Sequence, residues 1–441
     1  MKLILPSFLK NTPGFKKYFK NTAWLVSEKL IRIFSTLLVG VWVVRYLGPT
    51  NYGILAYAQS FVALFAIIAT LGLDSIVIRE LVKDKTKRDK LMGTAFWLKL
   101  IGAFGVLAIL AVAVNFTSND YFINIMVFII ASGIIFQSFN VIDLYFQSKV
   151  MSRYVVYVNM ITLLITSLVK IALIFINAPL IAFAWIALFD SFIIAIGFLY
   201  IYIKYSKFKI QNLKFKRETA TSLLRESWPL LLSGIVITIY MKIDQIMIKE
   251  ILGNEAVGQY AAAVKLSEAW YFIPTVIVSS IFPAIINAKK KSKKLYYDRL
   301  QKLYDLMVWI AFAIAIPMTF LSDWLVNLLY GSEYSQAGSV LVIHIWTAVF
   351  VFLGVASSKW FIVENLQLLS FWRSFTGVIV NLILNYILIP KYGIQGAAVS
   401  TLFSQAMAAY LFDILNSKTR KMFYMKSKTI LLTSLINNNN K

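Results

Sequence analysis

Apolar residues in this chain fall into runs of about twenty or more, separated by short stretches that carry the charges, the glycines and the prolines. The runs do not alternate polar and apolar positions, which excludes a transmembrane barrel. A hydrocarbon core about 30 Å thick is crossed by roughly 20 helical residues. On that rule the pattern predicts about twelve spans, near 22–46, 53–78, 91–114, 121–146, 154–176, 180–203, 228–251, 257–286, 303–329, 336–363, 368–389 and 393–416. Two of the breaks are alike. VVRYLGPTNYG (Val43–Gly53) and ILGNEAVGQY (Ile251–Tyr260) share an L-G-x-x-x-x-G frame about 205 positions apart. They fall between spans 1 and 2 and between spans 7 and 8, as expected of a duplicated unit of six spans. Halves with an even number of spans insert in the same orientation. Glycine permits the tight helix end such hairpins need, and the alanines that follow (Ala56, Ala58; Ala261, Ala262, Ala263) allow close helix approach. The expected organisation is an interfacial segment 1–20, a six-helix bundle 21–203, a basic linker 204–227, a second six-helix bundle 228–416 and a tail 417–441.

Composition agrees: 59% hydrophobic and 15% aromatic residues in 441 positions leave no polar exterior for a globule in water. A net charge of +24 raises the question of nucleic acid. Position answers it, because 33 of the 44 Lys and Arg lie in alternate connections and in the termini, while the opposite loops hold about three, Arg45, Lys249 and Lys391. This positive-inside pattern places both termini in the cytoplasm. KKKSKK (Lys289–Lys294) is therefore a topology signal and a contact for anionic membrane lipids, with no nucleic-acid partner expected. The opening MKLILPSFLKNTPGFKKYFK, broken by Pro6 and Pro13, reads as an inner-interface segment rather than a cleaved signal. Cysteine is absent and histidine occurs once, so disulfides, thiolate metal sites and histidine-rich metal sites are not expected, and no cofactor is.

Loop length separates function classes. Enzymes acting on lipid-linked sugars need an outward loop or domain to hold catalytic carboxylates, whereas here the outward connections are GPTN, FTSND, NAP, GNEA, YGSEYS and PKYG. There is no glycine-rich phosphate loop, nucleophile elbow or His/Asp constellation. The pattern points away from an enzyme and toward a transporter.

RYLGPTNYGILAYAQ and LGLDSIVIREL, then PLLLSGIVITIYMKIDQIMIKEILGNEAVGQYAAAVKLSE with SIFPAI, then LLYGSEY and YGIQGAAVST, resemble the bacterial polysaccharide biosynthesis transporters. These are Wzx-type flippases of lipid-linked oligosaccharides for O-antigen or capsule, in one superfamily with the multidrug and toxin extrusion (MATE) antiporters and the lipid II flippases. The resemblance runs over nearly the whole chain and is densest at 45–80 and 228–285. It implies an all-α, MATE-like membrane protein of the bacterial cytoplasmic membrane. Its two bundles would form a V around a cavity lined by spans 1, 2, 7 and 8 that opens alternately to either face. The implied substrate is a polyprenyl-pyrophosphate oligosaccharide, with H+ or Na+ as a coupling ion and glycan polymerase or assembly proteins as partners.

Ionisable groups within spans are costly and face a cavity or a partner. Span 1 carries Glu28, Lys29 and Arg32; Glu28 and Arg32, four apart, share a face and can neutralise each other. Asp74 and Arg79 lie toward the inner end of span 2, Lys242 and Asp244 in span 7, Lys265 and Glu268 in span 8. Glu28, Lys29, Arg32, Asp74, Arg79, Lys242 and Lys265 are the candidate cavity residues, the cations suiting a pyrophosphate. Asp244 and Glu268 are the candidate carriers of a coupling ion. Lys170 with Asp190, and Lys99 with Asp143, are expected to form structural ion pairs, and His344 to be a packed polar residue. Trp24, Tyr46, Trp228, Tyr271 and Trp324 read as interfacial anchors. Two alternatives stay open: a cation or drug antiporter of the same fold, and a membrane glycan polymerase or ligase.

Overall fold

The computed structural model describes residues 13–206 and 214–431, apart from the side chains of 13–20, 22, 85 and 283. The predicted interfacial segment therefore lies largely outside the described residues, as do 207–213 of the basic linker and 432–441 of the tail. The described chain is helical, with no strand: α1 (Pro13–Ala69), α2 (Asp74–Lys83), α3 (Arg88–Ala113), α4 (Tyr121–Phe136), α5 (Val141–Ser148), α6 (Arg153–Phe175), α7 (Leu180–Ser206) and α8 (Arg217–Leu252) come first. They are followed by α9 (Asn254–Glu268), α10 (Phe272–Lys291), α11 (Lys293–Tyr330), α12 (Ser335–His344), α13 (Thr347–Val363), α14 (Gln367–Ala406), α15 (Phe412–Leu415) and α16 (Arg420–Ile430).

Among the described residues nine helical stretches are long and apolar enough to cross a membrane, ten when the bent pair 332–344 and 347–363 counts as one. Two of these stretches are hairpins: α1 turns at Gly48 (φ 67°) and α14 at Gly393 (φ 61°). Counting the arms on either side of these glycines gives twelve apolar segments, the number the hydrophobic pattern predicts. The boundaries differ in a consistent way. Span 2 does not run on to 78, because the chain breaks at Thr70–Leu73, where Leu71 and Gly72 take positive φ, and restarts as α2. Part of the predicted linker, 217–227, already forms the first turns of α8, and α11 begins ten residues before its apolar run. Helices continue past the hydrocarbon wherever polar residues solvate the extra turns; hydropathy marks only the apolar part.

The chain divides into two compact units: Met1–Tyr46 with Phe61–Ile235, and Leu47–Ser60 with Val236–Lys441. In the first, Leu73 and Val77 of α2, Met92 and Ala95 of α3, Phe146 of α5, Tyr202 of α7 and Leu223 of α8 form a buried core. In the second, Tyr304, Met307 and Ala311 of α11 pack with Phe352 and Phe361 of α13 and with Met422 and Met425 of α16. Large apolar side chains such as Phe175, Phe320 and Tyr386 lie more than three-quarters exposed. A membrane, not water, is the medium in which that surface is favourable.

The two L-G-x-x-x-x-G frames meet inside the second unit. Gly48 and its counterpart Gly253 (φ 91°) both hold the left-handed backbone that ends one helix and starts the next. The second glycines of the frames then interlock. A Cβ on Gly53 would strike the carbonyl of Asn254, and a Cβ on Gly258 would strike the carbonyl of Pro49. Pro49 and Asn254 are equivalent positions of the repeat, so the contact is reciprocal: each hairpin inserts its glycine against the other's first helical turn.

Candidate functional site

The most developed polar cluster among the described residues lies in the second unit around Asp244. This carboxylate is on α8, 5% exposed, and three neutral donors surround it. Asn385 Nδ2 donates to Oδ1 at 2.6 Å, while the hydroxyls of Tyr260 and Thr401 donate to Oδ2 at 2.8 and 2.6 Å. Burying a carboxylate without such partners is prohibitively costly. The hairpins explain how residues so far apart in sequence come together. Asn385 stands eight residues before Gly393 and Thr401 eight after it; Asp244 stands nine before Gly253 and Tyr260 seven after it. At 1.5 Å per residue all four lie about 10–14 Å from their turning glycines, at one depth.

A cavity of about 10 Å³ opens beside this cluster, room for one water molecule, lined among others by Gln245, Glu268, Tyr271, His344 and Gln405. Gln245 accepts a hydrogen bond from Ser60 at 2.7 Å. Tyr271 bonds Thr347 at 2.7 Å and so belongs to the polar interior rather than to an interfacial anchor. His344 is buried, its Nδ1 3.0 Å from the Ser267 hydroxyl, in keeping with a packed polar residue. Asn385 Oδ1 and Asn381 Nδ2 are buried with no hydrogen-bond partner among the described residues. An oxygen-rich cluster around the Asp244 carboxylate, with Glu268 on the adjoining cavity and Asn385 Oδ1 left to accept, suits a proton or a hard monovalent cation better than a soft metal. Among the described residues no group of three His, Cys, Asp or Glu could hold a metal ion.

The other sequence candidates are dispersed. Glu28 and Arg32 pair on α1 at 2.7 Å, and Asn159 of α6 donates to the same Glu28 oxygen at 3.2 Å. Lys29 is exposed. Arg79 bonds Glu80 at 3.0 Å and also pairs with Glu226 of α8. Lys265 lies over the ring of Tyr52, 5.7 Å from its centroid, and Lys242 is close enough to Glu268 for their charges to interact.

Two expected pairs are corrected. Lys99 bonds Asp74 at 2.5 Å, not Asp143, which accepts from Gln147 at 2.9 Å. The break at Thr70–Leu73 puts Asp74 in the first turn of α2, beside α3, and no continuous span 2 would do that. Lys170 and Asp190 are near enough for their charges to interact but are not in ion-pair contact. Lys170 stands seven residues before the turn at Asn177 and Asp190 thirteen after it, a difference of about 9 Å in depth.

Of this cluster the sequence singled out only Asp244; Tyr260, Asn385 and Thr401, which bond it, and Asn381 beside Asn385 are neutral and individually unremarkable. Similar spacing from a turning glycine, seven or eight residues, was the available signal for Tyr260, Asn385 and Thr401; Asn381, twelve residues before Gly393, carried none.

A family model described as "Polysaccharide biosynthesis protein" matches residues 18–289, and the MatE model matches 229–387. The Capsular polysaccharide biosynthesis protein CapF of Staphylococcus aureus is 24% identical over 181 residues, 41% of this chain and 46% of that protein. The chain spans about half the length of the first curated relatives it matches. In fold it is similar to an inward-facing multidrug resistance MATE family transporter of the MOP superfamily, with TM-score 0.76 at 14% identity over 93% of this chain and 99% of that one. It is also similar to the lipid II flippase MurJ in an inward closed conformation, with TM-score 0.71 at 14% identity over 96% and 93%. The fold is therefore MATE-like.

Proposed function

The chain belongs to the polysaccharide biosynthesis protein family, and on that premise we propose that it is a flippase for oligosaccharides linked through pyrophosphate to a polyprenol. It takes the lipid-linked sugar from the inner leaflet of a bacterial cytoplasmic membrane and presents it at the outer leaflet by alternating access. A sugar-pyrophosphate head cannot cross hydrocarbon unaided, because its polar groups lose water without replacement. The observation that carries the reading is the match to the polysaccharide family over 18–289 in a chain whose fold is that of MATE transporters and of a lipid II flippase.

In this reading Arg32 and Lys29 in the first unit, and Lys265 and Lys242 in the second, are the cations proposed to meet a phosphate, Arg32 exchanging its pairing with Glu28 for it. Arg79, paired with Glu80 and Glu226, and Asp74, paired with Lys99, complete the proposed set toward the inner end of span 2. Asp244 binds the coupling proton or sodium ion, with Thr401, Asn385 and Tyr260 completing its shell, and Glu268 shares the adjoining cavity. Glycan polymerases or assembly proteins are the natural partners of such an activity.

Purified protein in vesicles with labelled lipid-linked oligosaccharide tests this. Head groups should become accessible to an external membrane-impermeant reagent only with protein present and with the glycan unchanged. A new glycosidic bond would make it an enzyme instead. The MatE match over 229–387 favours, as second reading, an antiporter for small cations. Cation efflux without head-group exposure would select that reading. Substituting Arg32 and Lys265 by Ala should abolish surface glycan at unchanged protein level, and normal glycan in the double variant would remove them from the substrate path.

A further inference from the structure

Helix α16 adds nothing to the span count, yet it is fastened to the second unit with unusual care. Lys426 donates to Asp413 Oδ2 at 2.6 Å and to the Ala409 carbonyl at 2.7 Å, with both charged side chains fully buried. Thr429 donates to Asp305 at 2.7 Å, and Gln301 of α11 reaches the Met425 carbonyl and the Thr429 hydroxyl at 3.1 and 2.8 Å. These bonds fix one face of α16. They leave Arg420, Lys421, Tyr424 and Lys428 exposed on the other, with Leu431 just beyond the last turn.

That outer face is strongly basic and continues onto the turn between α10 and α11. Residues 289–302 carry seven Lys and Arg, residues 416–431 carry five, and Asp298 is the one acidic residue in both stretches. The two stretches touch. The Lys421 ammonium stands 3.1 Å from the centroid of the Tyr297 ring of α11, close enough to Lys293 for the two like charges to repel. Burial and that repulsion hold Lys421 below its ordinary pKa. The nearby acids Glu364 and Asp305 are engaged elsewhere, Glu364 with Lys289 and Tyr296, Asp305 with Thr429 and Gln301. Backbone packing thus presses cations together on a surface with one aromatic and one aliphatic side chain, Tyr424 (58% exposed) and Leu431 (70%), beside them. An anion relieves such repulsion, and a basic amphipathic helix with apolar side chains is suited to a membrane interface.

We propose that α16 and the α10–α11 turn form a binding surface for anionic phospholipid headgroups. Lys293 and Lys421 clasp the headgroup phosphate between them, Arg420 and Lys428 lie along the same charged surface, and Tyr424 and Leu431 enter the boundary between headgroups and acyl chains. The buried Lys426–Asp413 pair serves to hold the helix in this register. The proposal does not depend on which molecule the protein transports.

The test compares full-length protein in phosphatidylcholine nanodiscs with and without phosphatidylglycerol, reading the thermal midpoint and the phosphatidylglycerol bound by native mass spectrometry. The wild type should gain stability from phosphatidylglycerol and lose that gain at high salt. Each lysine near an anionic surface contributes roughly a factor of five in binding, so K293Q with K421Q should weaken phosphatidylglycerol binding about 25-fold. Because the two ammoniums repel, the same double variant should keep or raise its midpoint in pure phosphatidylcholine, while K421R should retain the response. The proposal fails if the wild type shows no phosphatidylglycerol effect, or if the double variant responds fully. A midpoint lowered in phosphatidylcholine would also refute it, by making these lysines structural. Equal stabilisation by millimolar inorganic phosphate without anionic lipid would refute the lipid assignment in favour of a free-anion site.

Discussion

Replacing Gly53 or Gly258 with alanine tests the reciprocal hairpin contact. A Cβ on Gly53 would lie 2.8 Å from the amide nitrogen of Gly258 and closer still to the carbonyl oxygen of Asn254. Ordinary Cβ contacts begin at 3.4 Å, so the helices must part by at least about 0.6 Å, and the obstacle is backbone, which cannot rotate away as a side chain would. Overpacking of this kind costs about 1–3 kcal/mol. Gly258→Ala meets the same obstacle from the other side, against the carbonyl of Pro49. One separation relieves both clashes, so the double variant should cost less than the sum of the singles, a coupling of about 0.5–3 kcal/mol. Gly105, with nothing within 4 Å of its would-be Cβ and an ordinary helical backbone, is the internal control. Gly105→Ala should be neutral or stabilising by up to about 1 kcal/mol. Thermal unfolding in detergent of the two singles, the double and the control gives all four values. Singles as stable as Gly105→Ala, or strictly additive singles, would refute the interlocked geometry.

Removing Lys426 alone (Lys426→Met) should destabilise by about 3–5 kcal/mol, because Asp413 would keep a buried charge without its partner; adding Asp413→Leu should recover most of the loss, as measured by the same unfolding assay. Thr401→Ala takes one of two donors from Asp244 Oδ2 and should cost about 1–3 kcal/mol, while Asp244→Asn should fold but lose any response of transport to a proton or sodium gradient in vesicles. Arg79→Ala breaks exposed pairs and should leave the unfolding midpoint at its wild-type value; a clear fall would mean that its bond to Glu226 is shielded from solvent.

Sequence alone determined the class, the number of apolar arms and the duplication. These follow from transfer of apolar residues into hydrocarbon and from the conformations open to glycine, which are properties of short stretches and need no neighbours. It marked Asp244 because a charge in an apolar run is costly wherever the run goes. Tertiary structure decided the partners. Which carboxylate meets Lys99 depended on a four-residue break at Thr70–Leu73, and whether Lys170 meets Asp190 depended on a six-residue difference in depth. The shell around Asp244 consists of a tyrosine, a threonine and an asparagine, residue types that are common in any helix. Only the similar lengths of two folded-back hairpins bring them within 3 Å of one carboxylate. The basic tail, which in sequence reads only as topology, becomes a defined surface once Lys426 buries its charge and sets Lys421 against Lys293. Hydropathy reports each residue's preference for a medium, whereas a hydrogen bond or an ion pair depends on two residues and the distance between them, which folding sets.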